Sequence, residues 1–192
     1  MPTTALLVID VTNEVLHREG TLGGDLQTAS ATLIPAIRRL VEWARSRGTP
    51  VIWARTAFRP GYIDASAAMR RTAATLNGRL LEGTWGIELV QAAGPMAQDI
   101  VITKKRPSAF LATELDYVLR GLAVSRLIIA GTSTNWAVEA TARDADTRDY
   151  DVVVARDGTA ARMGTFHEDA LRSIASRYGR VASVDDIVSE AN

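Results

Sequence analysis

The chain has 192 residues, with 22 Lys and Arg against 22 Asp and Glu and no Cys. This length suits a single domain, 1–192, and the interspersed charges leave no basic face for nucleic acid or anionic lipid. No apolar run reaches the roughly 20 residues of a membrane helix, so we expect a cytoplasmic protein without membrane contact. The lack of Cys excludes disulfides, thiolate metal sites and cysteine catalysis in the chain as it stands.

Short apolar runs alternate with segments of helical period along the chain. The runs predict strands at 5–9, 50–56, 99–104, 126–131 and 151–155, and the periodic segments predict helices at 31–48, 113–124, 134–149 and 165–179. Polar, Gly-containing stretches at 17–29 and 56–64 are typical of loops. This alternation predicts a three-layer α/β/α fold with a mainly parallel, doubly wound sheet of about six strands.

Several residues mark where these helices begin and end. Thr113 and Asp116 resemble a capping box, and Thr134 is in position to cap the helix that follows it. Gly48 and Gly179 stand where two helices are expected to end. The helix signals therefore agree with the periodicity.

Reactive side chains follow the predicted strands. The first strand runs into Asp10, the third into Lys104 and the fourth into Gly131. In an open parallel sheet, ligands bind beyond the carboxyl ends of the strands, at a topological switch point. Asp10 could act as a general base there, or it could cap a turn or form a structural ion pair. Lys104 indicates a functional site only if it lies beside a carboxylate.

The stretch GTSTNWAVE connects the fourth strand to a helix, and Ala137 lies in the expected first helical turn. Unpaired N–H groups and the positive end of the helix dipole stabilise a thiolate or an oxyanion at such a place. A methyl side chain uses none of this.

Two other kinds of site receive weaker support. Ser133, Asp157 and His167 have the chain order of an α/β-hydrolase triad, but the turn lacks the second glycine of that motif. His17 and His167 have no paired-ligand spacing, so no metal site is expected. No glycine-rich nucleotide motif is present, and we expect no cofactor.

Four segments together resemble the isochorismatase-like cysteine hydrolases: LLVIDVTNEVLHREG, EGTWGIEL, ITKKRPSAF and GTSTNWAVEATARDADTRDYDVVVARDGTAA. The resemblance places the family's catalytic acid on Asp10, its lysine on Lys104 and its nucleophilic cysteine on Ala137. It also implies an oxyanion hole from the N–H groups of Ser133 and Ala137, and a cis peptide between Thr132 and Ser133.

The resemblance implies hydrolysis of an amide through a thioester, in a homodimer or homotetramer. The chain has ARTAFRPGYIDAS where nicotinamidases of the family carry a D-x-H metal motif, which argues against nicotinamide as the substrate. The GTWG segment and the K-x-R pattern resemble ureidoacrylate and biuret hydrolases more than nicotinamidases, so a small carbamoyl or ureido amide is the favoured substrate. Trp85 and Trp136 are candidate pocket walls, although Trp136 also suits a subunit interface. Asn13 and Arg106 are candidate polar contacts, and Arg106 could instead pair with a surface acid.

Three interpretations of Ala137 remain open. The chain is an active amidohydrolase from which the nucleophile was deleted by design, or a natural thiol-independent enzyme that cleaves a vinyl ether with Asp10 as acid, or a natural binding protein without activity.

Overall fold

A computed structural model describes residues 3–71 and 76–190 of the chain. Its strands are β1 Thr4–Ile9, β2 Val51–Thr56, β3 Ile100–Lys104, β4 Arg126–Thr132, β5 Asp151–Ala160 and β6 Arg180–Ala182. Its α-helices are α1 Asn13–Leu16, α2 Asp25–Ser46, α3 Ala67–Arg71, α4 Leu115–Gly121, α5 Glu139–Asp146, α6 Gly164–Arg177 and α7 Val184–Ser189.

All six strands form one parallel sheet in the order β3-β2-β1-β4-β5-β6. The strand order reverses between β1 and β4, so the crevice at their carboxyl ends is the topological switch point. The predicted fold class is therefore confirmed.

Helices cover both faces of the sheet because its strands are apolar on both sides. In β1, Leu7 and Ile9 belong to the core cluster under α4, α5 and α6, whereas Leu6 and Val8 belong to the cluster under α2 and α7. All four side chains are fully buried. This two-sided burial explains the continuous apolar runs in the sequence.

The longest helix begins earlier than predicted. α2 spans Asp25–Ser46, so the predicted loop 17–29 is wrong over its last five residues. Leu26 and Leu33 are buried on the inner face of the helix. Asp25 lies in the first turn, where its negative charge interacts favourably with the helix dipole. Pro35 lies on the exposed face, and the helix continues through it.

The helix-end signals were partly wrong. Thr113 Oγ1 accepts from the N–H of Leu115 and donates to the carbonyl of Ala109, so it forms no capping box with Asp116. Thr134 caps nothing: a π-helical turn, Thr134–Val138, precedes α5. Gly48 follows the end of α2 with a φ of 68°, as its predicted role requires.

The last two strands also differ from the prediction. β5 continues to Ala160, after a register shift opposite Ile129 and Gly131, and β6 was not predicted as a strand. Gly179, in front of β6, is needed because a Cβ there would lie 2.6 Å from the carbonyl oxygen of Val152.

The connection from β2 to β3 carries its own small apolar cluster: Ala57, Phe58, Tyr62, Ala65, Leu76, Leu80 and Ile87. The predicted loop 56–64 lies here and contains a short 3₁₀ turn, Pro60–Tyr62. None of the helices in the described ranges is long and apolar enough to cross a membrane.

Candidate active site

Asp10 immediately follows β1 and has a left-handed backbone, with a φ of 49°. Such a conformation is uncommon outside glycine, although Asp and Asn tolerate it better than most residues. Two neighbouring strands hold it in place: its N–H donates to the carbonyl of Ala54 (2.8 Å), and its carbonyl accepts from Thr132 Oγ1 (3.0 Å). Unusual backbone held by several partners is typical of functional sites.

The side chains of Asp10 and Lys104 form an ion pair across the sheet edge. Lys104 Nζ lies 2.7 Å from Asp10 Oδ2, and the lysine side chain is only 1% exposed. Thr56, at the end of β2, contacts both partners: its N–H donates to Asp10 Oδ1 (2.8 Å), and its Oγ1 accepts from Lys104 Nζ (2.7 Å). The structure thus brings together the two side chains that the strand ends predicted.

The segment after β4 passes close to Asp10. Gly131 has a φ of 111°, and a Cβ there would lie 2.0 Å from the carbonyl oxygen of Ile9, so only glycine fits. The Thr132–Ser133 peptide is cis, as the resemblance implied.

In the π-helical turn, the N–H groups of Trp136 and Val138 both donate to the carbonyl of Ser133. The N–H of Ala137 takes no part in this pair of bonds. Ala137 is 4% exposed, so a side chain at this position is shielded from bulk water. The N–H groups of Ser133 and Ala137 as oxyanion donors remain a prediction.

Two of the predicted binding residues, Asn13 and Trp85, contact each other. Asn13 Nδ2 donates to the carbonyl of Trp85 (3.1 Å), and the His17 ring meets the Trp85 ring edge-on at 5.1 Å between centroids. Glu14 packs beside Gly86, where a Cβ would lie 2.7 Å from Glu14 Oε2. α1, three residues after Asp10, therefore fixes the Trp85 loop close to the site.

Arg106 and Trp136 have less direct placements. Arg106 Nη1 donates to the carbonyls of Asp64 (2.9 Å) and Lys105 (2.7 Å), so part of its guanidinium already binds the protein. Within the described residues it pairs with carbonyl groups, and the alternative ion pair with a surface acid is not found. Trp136 is 67% exposed, which suits the outer rim of a pocket or a subunit contact.

The serine-triad hypothesis is wrong. Asp157 Oδ1 accepts from the N–H of Val184 (2.7 Å), and His167 Nδ1 contacts Thr134 Oγ1 (2.8 Å). Within the described residues no hydrogen bond joins Ser133, Asp157 and His167. Burial lowers the pKa of His167, which favours its neutral ring.

Within the described ranges, no group of three or more His, Cys, Asp or Glu side chains is placed to hold a metal ion. His17 Nδ1 accepts from the N–H of Glu19 at 3.2 Å, and the other histidine contacts Thr134. Each histidine is therefore engaged with a different part of the fold.

Sequence reasoning gave no side-chain role to Thr56, Thr132 or Thr141. Thr56 ends β2, and the same logic that selected Asp10 and Lys104 would have found it. Thr132 and Thr141 carry no comparable signal, because their partners are main-chain groups on distant segments.

The sequence profile of the Isochorismatase domain matches residues 4–186. The chain therefore belongs to the isochorismatase family. It is 35% identical to a ureidoacrylate amidohydrolase RutB of Methylorubrum extorquens, over 95% of this chain and 80% of that protein. Its identity to the protein of the same name from Yersinia enterocolitica is 33%, over 95% of this chain and 86% of that protein.

Solved structures show the same fold. A cysteine hydrolase from Pseudomonas syringae pv. phaseolicola superposes with a TM-score of 0.90 at 27% identity, over 97% of this chain and 91% of that one. N-carbamoylsarcosine amidase from Thermoplasma acidophilum superposes with a TM-score of 0.79 at 26% identity, over 95% and 97% of the two chains.

Proposed function

We propose that this site is built to hydrolyse a C–N bond of a small carbamoyl or ureido amide through a thiolate at position 137. The observation that carries the proposal is the buried Lys104–Asp10 ion pair, joined by Thr132 to the turn that contains Ala137. The relatives named as ureidoacrylate amidohydrolase and N-carbamoylsarcosine amidase support this substrate class.

The proposed chemistry begins with transfer of the thiol proton to Asp10. The ammonium of Lys104 and the start of the helical turn favour the resulting thiolate. The thiolate attacks the carbonyl carbon, and the N–H groups of Ser133 and residue 137 stabilise the oxyanion. Asp10 returns the proton to the departing nitrogen as the C–N bond breaks, and water then cleaves the thioester.

Both oxygens of Asp10 keep capacity for this role. Oδ2 accepts from Lys104 and Oδ1 from the N–H of Thr56, yet each carboxylate oxygen has a second lone pair. The carboxylate is 15% exposed, so one side remains open to a substrate. With Ala137 the chain keeps this shaped site but forms no thioester, and it therefore binds substrate without amide turnover.

The proposed substrate contacts are Asn13, Trp85, Arg106 and Trp136. Trp85 is 43% exposed beside the α1 segment and offers a flat wall to a planar ureido group. Arg106 retains donors beyond Nη1 for a carboxylate or a urea oxygen.

The direct test is the Ala137→Cys variant, assayed for ammonia release on a panel of ureido, carbamoyl and simple aromatic amides. We expect turnover that is lost on further change of Asp10 or Lys104. The matched control is Ala145→Cys, which puts a thiol into a fully buried position of α5 and should release no ammonia. A restored thiol that is inert on the whole panel would contradict the proposal.

A second candidate function follows from Ala137 itself. Without a thiol, the Asp10–Lys104 pair still suits general-acid cleavage of a vinyl ether. This alternative expects substantial turnover of such an ether by the unaltered chain, and loss of that turnover in Asp10→Asn. The third interpretation of Ala137, a non-catalytic binding protein, expects ligand binding and no turnover from either form.

We also propose that the chain assembles as a homodimer or homotetramer. Three large apolar side chains are exposed at the turn and at the start of α6, which packs against it: Trp136, Met163 and Phe166. Sedimentation of the unaltered chain and of Trp136→Ser tests this, because loss of an apolar contact should weaken association. A monomer at all concentrations would contradict it.

A further inference from the structure

Thr141 joins the turn of residue 137 to the segment that follows Lys104. Its hydroxyl donates to the carbonyl of Ala137 (2.6 Å) and accepts from the N–H of Ala109 (3.0 Å). The side chain is fully buried. One oxygen therefore connects two main-chain groups that are distant in sequence.

The accepting half of this bridge is more than a local helix feature. A threonine hydroxyl commonly donates to the carbonyl four residues earlier in its helix. Here the same oxygen also satisfies the buried N–H of Ala109, in the segment 105–112, which has no regular secondary structure. Because no strand or helix ladder orders that segment, its position depends on such individual bonds.

A second bond joins the same two segments one helical turn further along. Ser108 Oγ donates to Asp144 Oδ2 on α5 and accepts from the N–H of Phe110 at 3.2 Å. Ser108 is buried, as is Phe110. The helix that directly follows the turn of residue 137 is thus attached at two points to the segment that follows Lys104.

We propose that Thr141 is a positioning residue: its hydroxyl fixes the main chain of residue 137 relative to the Lys104 segment. The inference rests on the proposed function, since it assigns a role in that same site. A thiolate at 137 gains from Lys104 and from the turn's N–H groups only when distance and direction are held. Two successive hydrogen bonds provide that constraint: the N–H of Ala109 donates to the Thr141 hydroxyl, which donates to the carbonyl of residue 137. Hydrogen bonds linked in this way strengthen one another.

The test uses the full chain carrying Ala137→Cys, in which the introduced thiol is the only one because the sequence has no Cys. Thr141→Val removes the hydroxyl at nearly constant volume, Thr141→Ala removes it in a smaller side chain, and Thr141→Ser restores it. The matched control is Thr159→Val: that hydroxyl is also buried, and its partners among the described residues are the carbonyls of Ala155 and Arg156, both in its own strand.

The first readout is the rate of alkylation by iodoacetamide as a function of pH, which needs no substrate. We expect Thr141→Val to shift the profile upward by about one pH unit and to slow alkylation at pH 7 about ten-fold. Thr141→Ser should remain within about three-fold of the parent, and Thr159→Val should leave the profile in place. For a substrate that turns over, kcat should fall about ten-fold or more with little change in KM.

Circular dichroism first establishes which variants fold, and either hydroxyl-free variant suffices. A lowered melting temperature with an unchanged alkylation profile would show that Thr141 serves stability alone and would overturn the proposal. An alkylation shift without hydrolysis of any amide would support the positioning role while contradicting the proposed function. Hydrolysis that is insensitive to Thr141→Val would support the proposed function and contradict the positioning role.

Discussion

The Asp10–Lys104 pair gives a quantitative prediction about stability. At 2.7 Å the gross attraction is about 6 kcal/mol for an effective dielectric constant of about 20, and desolvation of both ions offsets much of it. Removing one partner is a different matter, because it leaves the other charge buried. Asp10→Asn retains a residue type that tolerates the left-handed backbone, so the change isolates the charge.

We expect Asp10→Asn to lower the free energy of unfolding by about 3–5 kcal/mol, since the Lys104 side chain is 1% exposed and its remaining acceptors among the described residues, Thr56 Oγ1 and the carbonyl of Arg106, are neutral. Lys104→Met should cost less, because Asp10 is 15% exposed and keeps the N–H of Thr56. The double variant should recover most of the loss, giving a coupling energy of about 2 kcal/mol or more.

Urea unfolding at pH 7 measures all four proteins of this cycle. The control cycle uses the exposed pair Arg38 and Glu42 on α2, whose nitrogen and oxygen lie 2.9 Å apart, and its coupling should not exceed about 0.5 kcal/mol. Additive losses at Asp10 and Lys104, with a coupling no larger than that of the surface pair, would refute the reasoning about burial.

Three further predictions concern other parts of the fold. Burial lowers the pKa of His167, so the contribution of its neutral ring to stability is full above about pH 6.5 and is lost as pH falls through the folded-state pKa. The free energy of unfolding of His167→Asn should therefore change less at acid pH than that of the unaltered chain. Burial and, second to it, a hydrogen bond to the Asp116 carboxylate raise the pKa of Tyr150 to about 12, so its contribution to stability is lost between about pH 10 and 12. In an alkaline titration, Tyr150→Phe should remove the phenolate absorbance that develops at the highest pH. Gly86→Ala puts a Cβ 2.7 Å from Glu14 Oε2 and should lower the free energy of unfolding by about 1–3 kcal/mol. Its control is Gly164→Ala, where a Cβ meets nothing within 4 Å and stability should not fall. Equal melting temperatures of the two variants would contradict this prediction.

The fold was predictable because its signals are local and repeated. Apolar runs bounded by polar residues predicted five of the strands, and residues such as Ile9 and Ile102 are buried as their runs imply. The three-residue strand β6 escaped because so short a segment has no period. The start of α2 was misplaced because Gly24 and Asp25 resemble a loop, while burial of Leu26 extends the helix.

The candidate site was predictable to the extent that it lies at strand ends. Asp10 and Lys104 follow runs that share one sheet edge, and a parallel sheet brings such ends together. The predicted capping box of Thr113 with Asp116 was wrong, because the hydroxyl accepts from the N–H of Leu115 instead and donates to the carbonyl of Ala109. Side-chain to main-chain bonds of this kind are chosen by three-dimensional proximity and leave no spacing in the sequence.

The sequence by itself determined the alternation of strands and helices, the two charged strand ends and the alanine at the start of a helical turn, because each depends on residues adjacent in the chain. Only the tertiary structure decided that Thr56 holds both ions, that Thr141 joins residue 137 to Ala109, and that Lys104 is buried. These properties depend on the packing of distant segments, because exclusion of water lowers the local dielectric constant and strengthens hydrogen bonds and charge interactions.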